Sequence, residues 1–534
     1  MLHPVSRHGL TCINLPFIRF TLRVPRFVSS GTLGLYSLPI TPKNIHVKKV
    51  GTLTLPRGVT LSDAQKKTIY ALSTPPGRAG VGVIRVSGPD ALTVWRAVVK
   101  PSKSLRDNTP EPWKLYRCRI CHPEKEEVLD DGLAVFFKSP SSFTTEDVLE
   151  LHIHSGRAII SSVLAALSSL PFCRPAEPGE FTRRAFEGGR LDLTQVEGLK
   201  DLIDAETESQ RRMALDAARG AKRTQFEHLR TEIIQCLAMV EALIDFGEGE
   251  DIEEGVFEQA RMRAIKLNGM IKGHLNDRRR GEIIRSGIRL AIFGPPNAGK
   301  SSLLNFLAQR EAAIVTPVPG TTRDILELSL DIGGLPVIVA DTAGVRATDD
   351  LVENIGIERA RNIVEASDIS LCVLSLPDIL TVTSGRPSMH TPLTLKTLFK
   401  PDTCFLLNKS DLLATAVSEN DIRQLLGNKA WVTSLSTGQG TSEFLKGLSE
   451  VLQDRYDLGD DNSSQTSLIT HARHRTHLES ASRFIDAFLE YSTQDVVLGA
   501  EELRYAAQAV GKISGLIDTE DVLDALFRDF CIGK

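Results

Sequence analysis

Residues 288–308 read IRLAIF, then GPPNAGKS at Gly294–Ser301, then SLLNFLA. An apolar run, a glycine-rich loop ending in Lys-Ser and an amphipathic stretch predict strand, loop and helix in that order. In that order the loop's backbone N–H groups and the helix N-terminus can wrap phosphate oxygens. Lys300 then reaches the β- and γ-phosphates, and the Ser301 hydroxyl is placed to ligate magnesium. Asn297, Ala298, Gly299, Lys300, Ser301 and Ser302 are therefore the first nucleotide-binding residues.

Downstream, GTTRD at Gly320–Asp324 offers hydroxyls that can close on the magnesium and sense the γ-phosphate; Thr322 is the expected ligand, with Thr321 beside it. The apolar strand Val337–Ala340 delivers DTAG, so that Asp341, Thr342, Ala343 and Gly344 bring a carboxylate near the metal and a backbone amide near the γ-phosphate. A further buried strand, Cys404–Leu407, leads into NKSD at Asn408–Asp411, with Lys409 inside it. Asp411 can accept from the N1–H and exocyclic amine of guanine. Adenine has neither donor at those places, so the expected nucleotide is GTP. Ser434, Leu435 and Ser436 resemble the last guanine-contacting loop of G proteins, with Leu435 where Ala is usual. Val345 follows DTAG where many Ras-like proteins carry a water-orienting Gln, so another residue must act on the water. Glu353, Asp349, Asp350 and Glu358 all qualify by position, and all four equally suit a solvated helix.

With 534 residues, the chain should form about three or four domains, since one core rarely grows past ~250–300 residues. Residues 1–62 contain no Asp or Glu and eight basic side chains, Arg7, Arg19, Arg23, Arg26, Lys43, Lys48, Lys49 and Arg57. That composition fits a mitochondrial transit peptide, or else a basic arm for nucleic acid. Setting the arm aside leaves 55 Lys+Arg against 67 Asp+Glu, a net charge of −12. An acidic body has no bulk electrostatic grip on RNA and needs a local basic patch or a basic partner. No apolar run is long enough to span a bilayer, so no membrane insertion is expected.

Eight scattered cysteines do not make a disulfide framework. Cys118 and Cys121 in CRICH match a haem-attachment spacing and half a zinc site, but no second ligand pair lies nearby and the segment alternates like a strand. His152 and His154 share a strand face without a third ligand. Residues 63–193 mix short apolar runs with Gly and Pro turns, predicting an α+β module. Residues 194–285 carry apolar side chains at helical spacing, among them Leu229, Ile233, Leu237, Val240 and Ile244. Helical spacing returns within 456–534, after an acidic, Ser-rich linker at Asp460–Ser464. The expected fold is therefore multidomain α/β and α: an N-terminal α+β domain, a helical domain, and a Ras-like P-loop G domain, 286–455, inserted into it.

Beyond the G motifs, the chain carries STPPGRAGVGVIRVSG (Ser73–Gly88), SFTTEDVLEL (Ser142–Leu151), RPAEPGEFTRRAFEGGRLDL (Arg174–Leu193) and a terminal FCIGK (Phe530–Lys534). With these it resembles the MnmE (TrmE) tRNA-modification GTPases, including mitochondrial members, from about Thr68 to Lys534. The resemblance implies a folate-binding, dimerising N-terminal domain, with Arg85, Glu150, Arg190 and Lys534 at the matching positions for a 5,10-methylene- or 5-formyl-tetrahydrofolate. Basic groups suit the glutamate carboxylates and an acid suits the pterin donors. Arg190 stands where bacterial members have Lys, which keeps the charge and changes its geometry. The resemblance further implies a homodimer whose G domains meet across potassium held by Asn297 and Thr316. It favours Glu353 as the catalytic acid, alongside Lys300. Cys531 is a candidate nucleophile, or a packing or folate-site residue.

The function so implied is GTP hydrolysis coupled to modification of C5 of wobble uridine 34 in mitochondrial tRNAs. An FAD-containing MnmG-type partner would join it in a heterotetramer or larger complex in the matrix. Two rivals are a GTP-timed ribosome-assembly factor, which calls for an appended RNA-binding module, and a membrane-remodelling GTPase, which calls for a lipid anchor. Neither feature is visible in the sequence.

Overall fold

The computed structural model describes residues 67–103, 105–246, 250–277, 279–310, 328–339, 361–383, 386–390, 393–413, 429–456, 467–516 and 533. The basic arm and the Asp460–Ser464 linker lie outside them.

The N-terminal module is built on strands β1 (Thr68–Leu72), β2 (Ala79–Ser87), β3 (Val99–Pro101), β4 (Leu115–Cys121), β5 (Val128–Phe137), β6 (Val148–Ser155) and β7 (Cys173–Pro175). They form one sheet in the order β3-β4-β5-β6-β2-β1-β7, antiparallel except for the β1–β7 pair. Alternation along β6 decides which face is covered: Leu149, Leu151 and Ile153 are buried, while Glu150, His152 and His154 point to the other side. Helices α1 (Ala91–Val98) and α2 (Arg157–Ser168) cover the apolar face with Val94, Trp95, Val163 and Leu167. The CRICH segment is the edge-ward strand β4, with Cys118 and Cys121 buried and unpaired.

After α3 (Glu180–Glu187) come α4 (Leu193–Asp204), α5 (Glu208–Ala218), α6 (Ala221–Phe246), α7 (Glu250–Leu275) and α8 (Arg280–Ser286). Asp192 starts α4 with a capping box: its carboxylate accepts from Thr194 and Gln195 N–H, and the Gln195 side chain accepts from Asp192 N–H. Leu229, Ile233, Leu237 and Val240 of α6 enter one core with Phe257, Ala264 and Ile271 of α7. Ile244, expected in the same stripe, is 42% exposed, two residues before α6 ends at Phe246.

The segment that carries the glycine-rich loop begins at β8 (Ile288–Phe293) and continues with α9 (Lys300–Arg310), β9 (Leu328–Ile332), β10 (Leu335–Val339), β11 (Ile369–Ser375), α10 (Leu376–Ile379), β12 (Leu380–Thr383), β13 (Arg386–Met389), α11 (Leu393–Lys396), β14 (Cys404–Asn408), β15 (Ala430–Val432) and α12 (Thr441–Arg455). Its main sheet runs β15-β14-β11-β8-β10-β9, parallel but for β9. Every residue of β11 and β14 is buried, as expected of strands covered on both faces. Leu303, Leu307, Phe444 and Leu448 cover one face. The chain then returns through α13 (Ala472–Glu490) and α14 (Val496–Ser514), whose Leu478, Ile485, Leu503 and Val510 complete the core of α6 and α7.

Candidate functional site

β8 ends in the middle of its sheet, flanked by β10 and β11, so the loop after Phe293 emerges at the carboxyl edge where parallel α/β sheets hold ligands. Gly294 has φ +148°, and a Cβ there would lie 2.1 Å from the Val373 carbonyl oxygen. Gly299, at φ +106°, would place a Cβ 2.0 Å from Asn408 Nδ2. Both glycines are thus required by close approach as well as by backbone conformation. Asn297 takes φ +58° without being glycine, and Ala298 is wholly buried beneath the loop. Lys300 opens α9, and its ammonium donates to the carbonyls of Gly294 (3.1 Å) and Pro295 (2.7 Å), lying across the loop it serves. Ser301 and Ser302 sit exposed in the first turn of α9.

Asn408, only 4% exposed at the end of β14, ties two loops together. Its amide donates to Ala298 O at 2.9 Å and its carbonyl accepts from Leu435 N–H at 3.1 Å. The position where Ala is usual therefore engages through its backbone, which Leu supplies equally well. Lys409 follows at φ +67° and turns the chain so that Asp411 stands at the surface. Hydroxyls hold the Asp411 carboxyl below its usual range, Ser434 first and then Ser436, which donates at 3.3 Å. The glycine-rich loop, the Asp411 carboxylate and the Ser434 loop thus converge on one edge of the sheet. Thr316, Thr321, Thr322, Asp341, Thr342, Ala343, Gly344 and Glu353 lie outside the described residues.

A second constellation lies on the face of the N-terminal sheet opposite α1 and α2. Arg85 and Glu150 are cross-strand neighbours on β2 and β6, and the guanidinium donates to Glu150 Oε1 at 2.9 Å. The same guanidinium faces the rings of Phe143 (5.4 Å) and Phe181 (5.7 Å). Burial alone would raise the Glu150 carboxyl; His152 and Arg85 outweigh it and hold the group below its ordinary value. Arg190 joins this neighbourhood by donating to Ser142 O at 2.7 Å, next to Phe143. Gly533 completes the edge: its carbonyl accepts from Ser73 Oγ at 2.8 Å, just past the end of β1. Cys531 and Lys534 lie outside the described residues.

Sequence reasoning did not single out Phe143 or Phe181, and it weighed His152 only with His154 as a metal pair lacking a third ligand. Both phenylalanines stand inside the quoted SFTTEDVLEL and GEFTRRAF stretches, which was the available signal. Nor did it find the frame behind them, where buried Arg184 donates to Glu146 (3.0 Å) and to Glu180 (2.9 Å) and so fixes the segment that carries Phe143.

A model of the MnmE helical domain matches residues 193–531, and a model of the N-terminus of the GTP-binding protein TrmE matches residues 68–190. The chain belongs to the MnmE/TrmE family. Among its MnmE/TrmE relatives is the mitochondrial 5-taurinomethyluridine-[tRNA] synthase subunit GTPB3 of Danio rerio, 45% identical over 481 residues, covering 88% of this chain and 93% of that protein. The tRNA modification GTPase MnmE of Parvibaculum lavamentivorans is 45% identical over 471 residues, 88% of this chain and 100% of that one. The mitochondrial tRNA modification GTPase gtpbp3 of Dictyostelium discoideum is 40% identical over 488 residues, with 88% and 95% covered. Among the described residues no helix is long and apolar enough to cross a membrane.

Proposed function

We propose that this chain is a GTP hydrolase of mitochondrial tRNA modification. With an FAD-containing MnmG-type partner it acts on C5 of the wobble uridine, using a one-carbon unit carried by folate. The observation that carries the reading is the Asn408 bridge, which joins the loop around Lys300 to the loop beside Asp411 and so builds phosphate and guanine recognition as one unit. Ser301 and Thr322 are the proposed magnesium ligands, and Asn297 and Thr316 the proposed potassium ligands. The place of Ser301 in the first turn of α9 and the left-handed backbone at Asn297 suit those roles. Glu353 is the proposed acid acting on the attacking water.

The folate reading draws its support from the N-terminal constellation. A carboxylate paired with an arginine that faces two phenylalanine rings suits a planar heterocycle with donors on its edge, and Arg190 supplies positive charge for the glutamate tail. When bound, the folate supplies the carbon; the chain's residues bind and orient it. The basic leader and the mitochondrial relatives support a matrix location, and the family supports a homodimer. Nucleoside mass spectrometry of mitochondrial tRNA from cells lacking the chain tests the whole reading. Loss of the C5 substituent at the wobble position is expected, and its full retention overturns the proposal.

A further inference from the structure

Helix α4 presents two carboxylates one turn apart, and each uses its two oxygens on different partners. Glu197 Oε1 accepts from Arg473 Nε at 2.9 Å, and Oε2 meets His474 Nε2 at 2.7 Å. Asp201 Oδ1 accepts from Arg285 Nε at 2.9 Å, and Oδ2 lies 3.5 Å from His471 Nε2. Glu197 is 3% exposed and His474 is 1% exposed. Burial alone would raise the Glu197 carboxyl; His474, His471 and Arg473 outweigh it and hold the group well below its usual range. Ligand atoms of Glu197, His471 and His474 lie within 4.8 Å of one another, a spacing a metal could use. Two arginines already balance the two carboxylates, however, and adding a dication to a buried, neutralised cluster is unfavourable. The cluster reads as an ion-pair junction.

What the junction holds is more informative than the junction itself. Arg285 is the penultimate residue of α8, its carbonyl is held by Gln210 Nε2 at 3.2 Å, and Ile288 shortly after it begins the strand that delivers the phosphate loop. Arg473 forks to the carbonyls of Lys512 (3.0 Å) and Ile513 (2.9 Å) in the last turn of α14. Gly515, immediately beyond, stands so close to α4 that a Cβ would lie 2.8 Å from Leu193 Cγ. The chain leaving there ends in the segment whose Gly533 meets Ser73. One turn of one helix therefore grips both the approach to the phosphate loop and the root of the C-terminal segment.

We propose that Glu197 and Asp201 are positioning residues that couple the phosphate loop to the C-terminal segment beside Ser73. The proposal rests on the Lys300 loop binding GTP, and it names the residues through which that binding reaches the N-terminal module. A displacement of α8 moves Asp201, α4 moves as a rigid rod, and Glu197 carries Arg473 and the α14 carbonyls with it.

The test is hydrogen exchange in peptides spanning 516–534 of the full chain, with and without a non-hydrolysable GTP analogue. In the wild type the analogue is expected to change exchange there by at least about fivefold, the lower end of ordinary coupling between sites. Glu197→Gln keeps the shape and releases Arg473, so the change should vanish while analogue affinity stays within about twofold, since no nucleotide contact is touched. Arg473→Lys keeps the charge but loses the fork, and it should behave the same way. This second variant answers the question should the first fail to fold. A merely structural role would lower affinity and melting temperature together. A wild type that binds the analogue without any change in the peptide, or a variant that keeps the change, overturns the proposal. Failure to bind the analogue at all is a separate result, and it brings down the GTP reading and this inference together.

Discussion

Asp411 is an exposed carboxylate whose charge state is set by neighbouring hydroxyls. Ser434 and Ser436 keep it ionised and aimed, and a carboxylate there accepts two hydrogen bonds but donates none. Asp411→Asn replaces one acceptor oxygen with an N–H donor, which suits xanthine, whose C2 carries a carbonyl instead of an amine. GTP affinity should fall at least about 100-fold, because two hydrogen bonds to a charged group are disturbed. XTP should gain affinity in the same variant. Competition titrations with the two nucleotides measure both effects, and parallel losses for both would contradict the assigned role. The expectation for Asp411 came from a short window because NKSD is contiguous and its chemistry is local. Asn408 was legible only as a nucleotide residue; its structural role depends on Ala298 and Leu435, 110 and 27 positions away, and no short window shows that.

Among the elements, α4 carries the most consequence for its length. Its capping box at Asp192 and Gln195 fixes where it starts, and that start sets the height at which Glu197 and Asp201 emerge. Asp192→Ala should destabilise the chain by about 1 kcal/mol, the usual value of an N-cap. Chemical denaturation of the purified protein would detect it, and an unchanged midpoint would show that the cap is dispensable. The helical pattern around residues 194–285 was visible in the sequence because apolar spacing reports a helix's buried face. The ion-pair junction was not, since Glu197 and Arg473 look like ordinary helix charges until tertiary packing places them 2.9 Å apart. The same holds for Arg85 and Glu150, whose pairing depends on the β2–β6 register; their joint role was taken from family resemblance rather than from pattern.

For the whole molecule, the buried histidines make stability depend on acidity. Burial pushes His471 down to about 3, and His474 is lowered by the same cause. A folded pKa below the unfolded value of ~6.5 means that unfolded chains take up protons first as pH falls. The contribution is complete above that unfolded value and is lost on descending toward the folded one. For His471 alone the loss by pH 5 is about 2 kcal/mol. Thermal melts at pH 7.5 and pH 5 should show the drop, and His471→Asn should show a smaller one. An acid response identical in the two proteins would remove His471 as its source.

The G segment's two ends leave and re-enter the helical body side by side. On the way out, Gly281 has no room for a Cβ, which would stand 2.2 Å from Ile469 O. On the way back, Ser467 and Leu468 give their carbonyls to Lys222, and Arg475 grips Asp277 and Glu282. The segment has a third hold on the same body, since the Gly334 carbonyl between β9 and β10 accepts from Ser209 Oγ of α5 at 2.5 Å. Any swing of the segment about its two chain ends therefore has first to break that hydrogen bond.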